Sequence, residues 1–329
     1  MKLVYSLRDF VPDPSRPLVL ALGNFDGLHR GHALLLKRAV GRARRLKGRA
    51  AVLTFREHPQ RVLHPGRHIE LIQEPVQKLS GLEHMGIGLC FWLHFTKDFS
   101  RLEARDFVER ILVDRLGVKE FYLGDNAHFG HDRKGNAVLM SELAGRYGFR
   151  FREVRPLKAG KNFVTSSEVR FRVSSGKLRE AARLLGRRFS LFAEVVKGSG
   201  RGRKLGFPTA NLKTHPNQVM PPSGVYPVRV RQVYFPKQVW TRHPAQFPRL
   251  RYERWMKGVL NLGFRPTFKK KSAHPVAEVH VFGFRRNLYG TWLEVEFLER
   301  LRPERIFSSP AVLAGQIARD IARAKKLLS

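Results

Sequence analysis

The stretch Leu18–Ala39, LVLALGNFDGLHRGHALLLKRA, decides the fold of the first half of the chain. LVLALG is a short apolar run ending in glycine, GNFDG has the composition of a turn, and HALLLKRA begins a helical pattern. A strand that passes through a glycine turn into a helix puts the turn at the carboxyl edge of a sheet, where α/β proteins place ligands. His29 and His32 are three residues apart, so they share one face at the helix start, beside backbone N–H groups that favour anions. Gly23, Gly27 and Gly31 allow the backbone to approach a ligand closely, with Asn24 and Phe25 inside the turn. Two imidazoles there can stabilise charge building on an α-phosphate while a second phosphate attacks it and pyrophosphate leaves. An isolated HxxH would be a pair of ordinary helix-start residues, and as a zinc pair it lacks a third ligand of convincing spacing. The flanking strand and turn favour a nucleotide.

Working outward, the apolar runs at 50–55, 86–95, 119–124 and 149–154 alternate with helical patterns, which predicts a mostly parallel sheet covered by helices. Ser100 and Glu103 have capping-box spacing ahead of a helix at 104–117. A last helical segment closes the half near Gly186. From 189 onward the character changes to β-rich runs punctuated by glycine and proline, at 189–196, 224–235, 257–263, 277–284 and 291–301. These predict a small, mostly antiparallel barrel. The stretch 237–257 lacks a clear period and reads as an extended loop of that barrel, and Leu313, Ile317 and Ile321 mark a C-terminal helix packed on it. The expected domains are 1–182 and 183–329.

Composition agrees with two globular domains: 329 residues, 43% hydrophobic and 11% aromatic, at roughly 150 residues per domain. No apolar run is long enough to span a bilayer and no export signal is visible, so a cytoplasmic protein without a membrane partner is expected. The single cysteine, Cys90, sits in an apolar run and reads as core, which excludes an intrachain disulfide framework. Lys and Arg number 62 against 27 Asp and Glu, a formal charge of +35. That raises nucleic-acid binding, but the basic residues are scattered and carry no recognition signature, so no specific nucleic-acid partner is expected. Oligomeric state is not legible.

Several further segments carry chemistry. TSSEVR places Thr165, Ser166, Ser167 and Arg170 at a helix start, suited to the β- and γ-phosphates, although alone it would be only a cap. LGDNAHFG follows a strand end and brings Asn126 towards the same cleft. KGSGRGRKLGFPTANL combines Gly198, Gly200, Gly202 and Gly206 with Lys204, a loop that can cover phosphates with backbone donors and cations. After Pro208, PTAN sets Thr209 and Asn211 on one side of an extended segment, two oxygen ligands for a magnesium ion held mainly by ATP. GFRPTF then precedes AEVHVF, in which the Glu278 carboxylate can take a proton from a substrate hydroxyl; read alone it is a solvated strand residue.

GNFDGLHRGH, FYLGDNAHFG, TSSEVR, GRGRKLGFPTANL, GFRPTF and AEVHVF occur in the order found in bacterial bifunctional riboflavin kinase/FAD synthetases, and the chain resembles that family over nearly its whole length. The resemblance implies an FMN adenylyltransferase domain of the HxGH nucleotidyltransferase type, Rossmann-like α/β, followed by a riboflavin kinase barrel. It implies riboflavin, FMN and ATP as substrates, magnesium as cofactor and FAD as product. In its terms Glu278 deprotonates the riboflavin 5′-hydroxyl, Thr209 and Asn211 hold magnesium, His29 and His32 stabilise adenylyl transfer, and residues 165–170 hold the departing pyrophosphate. Two departures stand out: TFREHP has Arg56 and Glu57 where the family has an acidic residue and proline, and Ala127 replaces an aromatic residue. They motivate a rival reading, a monofunctional riboflavin kinase with a degenerate first domain. A basic nucleic-acid-associated binding protein is the non-enzymatic rival.

Overall fold

Runs of apolar residues too continuous to leave one face in water become the strands of a sheet buried on both sides. In the computed structural model they are β1 (Lys2–Val4), β2 (Leu18–Leu22), β3 (Arg49–Phe55), β4 (Leu89–Leu93), β5 (Val118–Gly124) and β6 (Arg150–Val154), in the order β1-β4-β3-β2-β5-β6 and all parallel. The structure describes residues 1–66, 68–125, 127–160, 162–198, 200–235, 244–264 and 275–329. Val19, Leu20 and Ala21 in the middle of β2 are fully buried. Because β3, β4 and β1 extend from one side of β2 and β5 and β6 from the other, the strand order reverses at β2. The crevice at such a reversal lies at the carboxyl end of the strand, here Leu22, which is where GNFDG begins.

The helix α1 (Arg30–Arg45) buries Leu35, Leu36, Ala39, Val40 and Ala43, and its last turn carries Arg42, Arg44 and Arg45, which complement the negative end of the helix dipole. The capping box at Ser100 and Glu103 does not form. Thr96 caps a short helix Lys97–Ser100, Ser100 bonds back to the Lys97 carbonyl, and the following helical stretch starts after Glu103 without a side-chain cap. It widens into π-type turns over Phe107–Arg115. A short hairpin, β7 (Lys158–Ala159) with β8 (Asn162–Phe163), leads to Thr165.

The second sheet is antiparallel: β9 (Ser190–Val196), β10 (Ala210–Lys213), β11 (Gly224–Tyr234), β12 (Arg251–Tyr252), β13 (Met256–Phe264), β14 (Pro275–Val281) and β15 (Trp292–Phe297) run in the order β12-β11-β13-β14-β10-β9-β15. Pairing of β11 with β15 closes six of these strands into a barrel and removes their free edges, while β12 attaches to β11 alone. The guanidinium of Arg231 lies 4.0 Å over the Tyr252 ring and 4.2 Å over Trp255, while its Nε donates to Glu294 at 2.7 Å. The C-terminal helix Pro310–Leu328 covers Val225 and Val259, with Ile321, Ala324 and Leu328 against the barrel.

Compactness does not follow a single cut at 182/183. One unit comprises Met1–Ile69, Pro75–Thr165 and Pro236–Arg249; the other comprises Glu70–Glu74, Ser166–Phe235 and Leu250–Ser329. The helices Ser166–Ser174 and Leu178–Leu185, separated by Gly176 at φ 73°, group with the barrel: Arg179 pairs with Glu299 at 2.8 Å and Arg187 donates to Gln73 at 3.1 Å. The stretch 237–257 is likewise not one barrel loop. Residues 236–243 lie outside the described ones; Ala245 and Phe247 hydrogen-bond to Leu3 and Met1 beside β1, and β12 belongs to the barrel sheet.

Asp320 on the C-terminal helix, 6% exposed, receives Nε and Nη2 of Arg302 at 2.7–3.1 Å. Removing one partner leaves the other charge buried, so Asp320→Ala should cost about 3–5 kcal/mol, read as a lowered denaturation midpoint at unchanged slope.

Candidate functional site

In the first unit, the GNFDG turn holds a shape most residues avoid. Phe25 and Leu28 have φ of 52° and 42°, and Gly27 has 83°. A left-handed non-glycine residue costs of order 1–3 kcal/mol, so surrounding contacts have to hold it. Three do. Thr54 Oγ1 donates to the Asn24 carbonyl at 3.2 Å, Lys78 Nζ donates to the same carbonyl at 3.1 Å, and Gly23 N–H donates to Leu53 O at 3.2 Å. The Phe25 ring, 1% exposed, packs edge-on to His32 at 5.3 Å, and a Cβ on Gly23 would sit 3.0 Å from that ring.

His29 caps α1: its Nδ1 accepts the His32 N–H at 3.3 Å. The two imidazoles stack at 3.7 Å between centroids, tilted by 17°, with His29 only 5% exposed. The shared face read from the spacing is therefore present as a stacked pair. A Cβ at Gly31 would press on the His29 ring at 3.1 Å and on the Val164 carbonyl at 3.3 Å, so Gly31 lets the chain ahead of Thr165 reach the start of α1. Ser166, Ser167 and Arg170 lie on the first helix of the second unit, where Arg170 Nε donates to the Glu70 carbonyl at 2.6 Å. Asn126 lies outside the described residues. Ala127 is half-buried against the first unit's core, next to Phe129, whose ring packs on Phe107 at 5.5 Å.

The sequence patterns did not mark Thr54 or Lys78. Lys78 is 7% exposed and also donates to the Phe55 carbonyl at 3.2 Å; burial lowers its pKa to about 8, against the opposing pull of Asp26. The departures Arg56 and Glu57 pair through one imidazole. Arg56 Nη1 donates to His94 Nε2 and His94 Nδ1 donates to Glu57, both at 2.7 Å, and Glu57 also accepts from Phe95 N–H at 3.3 Å. The two residues thus tie the end of β3 to the segment after β4.

In the second unit, cross-strand register assembles the site. Asn211 on β10 and Asn261 on β13 both stand directly opposite Glu278 on β14. Residues directly opposite share a face, with Cβ atoms about 4.5–5.5 Å apart. Their neighbours Leu212, Ala277, Val279, Leu260 and Leu262 are buried apolar side chains of the opposite face. Asn261 carries no motif in the sequence; its place opposite Glu278 follows from the pairing of β13 with β14. Thr209, two residues before Asn211, falls on the same side, and His280 Nδ1 donates to the Pro208 carbonyl at 2.8 Å, fastening this segment to β14.

The glycine loop lies on this row. A Cβ at Gly198 would run into the Asn211 carboxamide, and one at Gly202 would come within 3.0 Å of Thr209 Oγ1. Gly200 and Gly206 have φ of 71° and 84°. Phe207 N–H donates to Gly202 O at 2.8 Å, folding the loop back after its short helix Arg201–Lys204. The side chain of Lys204 lies outside the described ones. Thr209 and Asn211 supply hard oxygen donors, and no cluster of three His, Cys, Asp or Glu able to hold a metal exists among the described residues. That donor set fits a magnesium ion carried mainly by phosphate oxygens.

Residues 11–168 match the FAD synthetase family model and residues 185–328 match the riboflavin kinase model. Bifunctional riboflavin kinase/FMN adenylyltransferases align end to end. The protein of Pseudomonas fluorescens is 34% identical over 99% of this chain and 98% of its own length. That of Haemophilus influenzae is 32% identical over 93% and 92%, and that of Escherichia coli K12 is 31% identical over 99% and 97%. The chain belongs to this bifunctional family. The crystal structure of a macrolide-efflux protein from Streptococcus pneumoniae superposes with a TM-score of 0.81, at 27% identity and 98% coverage of both chains. Among the described residues of this chain no helix is long and apolar enough to cross a membrane. As a member of the bifunctional family the chain is a riboflavin kinase and an FMN adenylyltransferase, an α/β domain followed by a closed antiparallel barrel and a C-terminal helix.

Gly198→Ala should lower riboflavin phosphorylation by about two orders of magnitude through misplacement of the loop over Asn211, while FAD formation from supplied FMN stays unchanged. Separate assays of the two products check it.

Proposed function

We propose that the two activities are divided between the constellations, and the observation that carries this is the row Asn211, Glu278, Asn261 under a glycine loop. In residues 183–329, Glu278 takes the proton of the riboflavin 5′-hydroxyl, whose oxygen attacks the γ-phosphate of ATP; ADP leaves and FMN is formed. Backbone N–H groups of the Gly198–Gly206 loop receive the phosphates, and Lys204 adds a cation. Thr209 and Asn211 would hold a magnesium ion, which supplies charge neutralisation on the transferred group.

In residues 1–182, the FMN phosphate attacks the α-phosphate of a second ATP, pyrophosphate leaves and FAD results. His29 and His32 stabilise charge on the α-phosphate, the turn Gly23, Asn24, Phe25 and Gly31 seats the nucleotide, and Thr165 and Asn126 complete the phosphate contacts. The stacked, capped arrangement of His29 and His32 supports this. Arg56 and Glu57 bear on the rival of a degenerate first domain: they form an ordered pair with His94 while the turn stays intact. On this reading the enzyme works in the cytoplasm. Its charge of +35 favours encounter with anionic substrates, with no specific nucleic acid required.

Incubation with riboflavin, ATP and magnesium, followed by chromatography of the flavins, should give FMN and then FAD. Accumulation of FMN alone would leave a monofunctional kinase. Glu278→Gln should lower FMN formation by about 10²–10⁴-fold and leave FAD formation from FMN intact. His32→Ala should do the reverse, by about 10²–10³-fold. If both activities fell together in each folded variant, the division of labour would be wrong.

A further inference from the structure

The ammonium of Lys78 sits behind the turn that leads into His29 and His32. It lies on the helix Pro75–His84, reaches the carbonyls of Asn24 and Phe55 at 3.1 and 3.2 Å, and stands 4.5 Å over the Trp92 ring. Gly81, one turn further along that helix, lies so close to Leu28 that a Cβ would run into its side chain. One helix therefore grips both ends of the strained segment, by the ammonium at Asn24 and by close packing at Leu28.

Taking an ammonium out of water is costly, and filling the same volume would need only a methionine. The charged groups that face Lys78 are few: Asp26 from the turn, 4% exposed, and Cys90 from β4, whose thiol burial pushes up to about 12 and so keeps neutral. A buried charge is poorly screened, and its field extends to whatever the turn binds.

We propose that Lys78 is a positioning residue of the adenylyl-transfer site: its grip on the Asn24 and Phe55 carbonyls holds Gly23–Leu28 in the shape that receives the triphosphate, and its buried charge favours that anion. The inference rests on the reading that this turn receives ATP. In this role Lys78 acts through the Asn24 and Phe55 carbonyls rather than on the reacting atoms.

The test is the pH profile of kcat/KM for ATP in FAD formation, with FMN saturating. The ammonium is present below about pH 8 and lost above it, so the wild-type profile should fall as pH rises through about 8. Lys78→Met should start about tenfold lower near neutral pH, mainly through a raised KM for ATP, and lack that fall, while riboflavin phosphorylation by the same protein changes less than about twofold. Thr54→Val, which removes the second donor to the Asn24 carbonyl, should raise the same KM by a smaller factor. A wild-type profile that stays level through about pH 8 overturns the proposal even where Lys78→Met does not accumulate. So does a folded Lys78→Met enzyme with wild-type kcat/KM for ATP. His32→Ala separates the two layers: if FAD formation survives that change, the reading of the turn as the ATP site fails; if only Lys78→Met is silent, the inference fails alone.

Discussion

At both sites glycines let the backbone pass a polar or aromatic side chain at a distance that crowds a Cβ or, at Gly198, excludes it. In the first unit Gly23 passes the Phe25 ring and Gly31 passes His29 and the Val164 carbonyl; in the second, Gly198 passes the Asn211 carboxamide and Gly202 passes Thr209. Close backbone approach of this kind is what lets peptide N–H groups reach phosphate oxygens. The remaining architecture supplies the rigid partner for each approach. For the α/β unit that partner is the start of α1 at the strand-order reversal; for the barrel it is the face of β10, β14 and β13 fixed by closure.

The two sites solve the problem with different materials. The first relies on strain: Phe25 and Leu28 occupy left-handed backbone space and are held there by Thr54, Lys78 and Gly81, elements far apart in sequence. The second relies on register, since an antiparallel ladder sets Asn211, Glu278 and Asn261 side by side without unusual dihedrals. A strained turn depends on its supporting contacts, whereas a ladder row depends on the whole barrel remaining closed. Loss of a distant brace should therefore affect the first site selectively, and loss of the C-terminal helix contact at Asp320 should act on the barrel as a whole.

The excess positive charge is partly put to structural use. Three buried or half-buried carboxylates are met by guanidiniums: Glu120 by Arg42 and Arg152, Glu294 by Arg231, Asp320 by Arg302. Burial alone would raise the Glu120 carboxyl, yet hydrogen bonds from Arg42 and Tyr122 with the two guanidiniums hold it below its ordinary value.

Most of the fold was legible because it is written in short-range periodicity. Apolar runs, glycine punctuation and the spacing of His29 and His32 are local facts, and the strands β2 to β6, the helix start and the barrel strands follow from them. β1 was not legible, since three residues carry no period, and neither was the capping box, because Thr96 captured the local N-cap role from Ser100. The grouping of residues 166–185 with the barrel rests on contacts such as Arg179 with Glu299 that join distant stretches of chain. The opposition of Asn261 to Glu278 and the placement of Lys78 behind Asn24 belong to the same class. By itself the sequence determined which residues can carry phosphate chemistry, since that depends on residue type and close spacing. Only the tertiary structure decided which side chains support them, because barrel closure and the packing of a helix behind a turn are set by long-range contacts that leave no period in the chain.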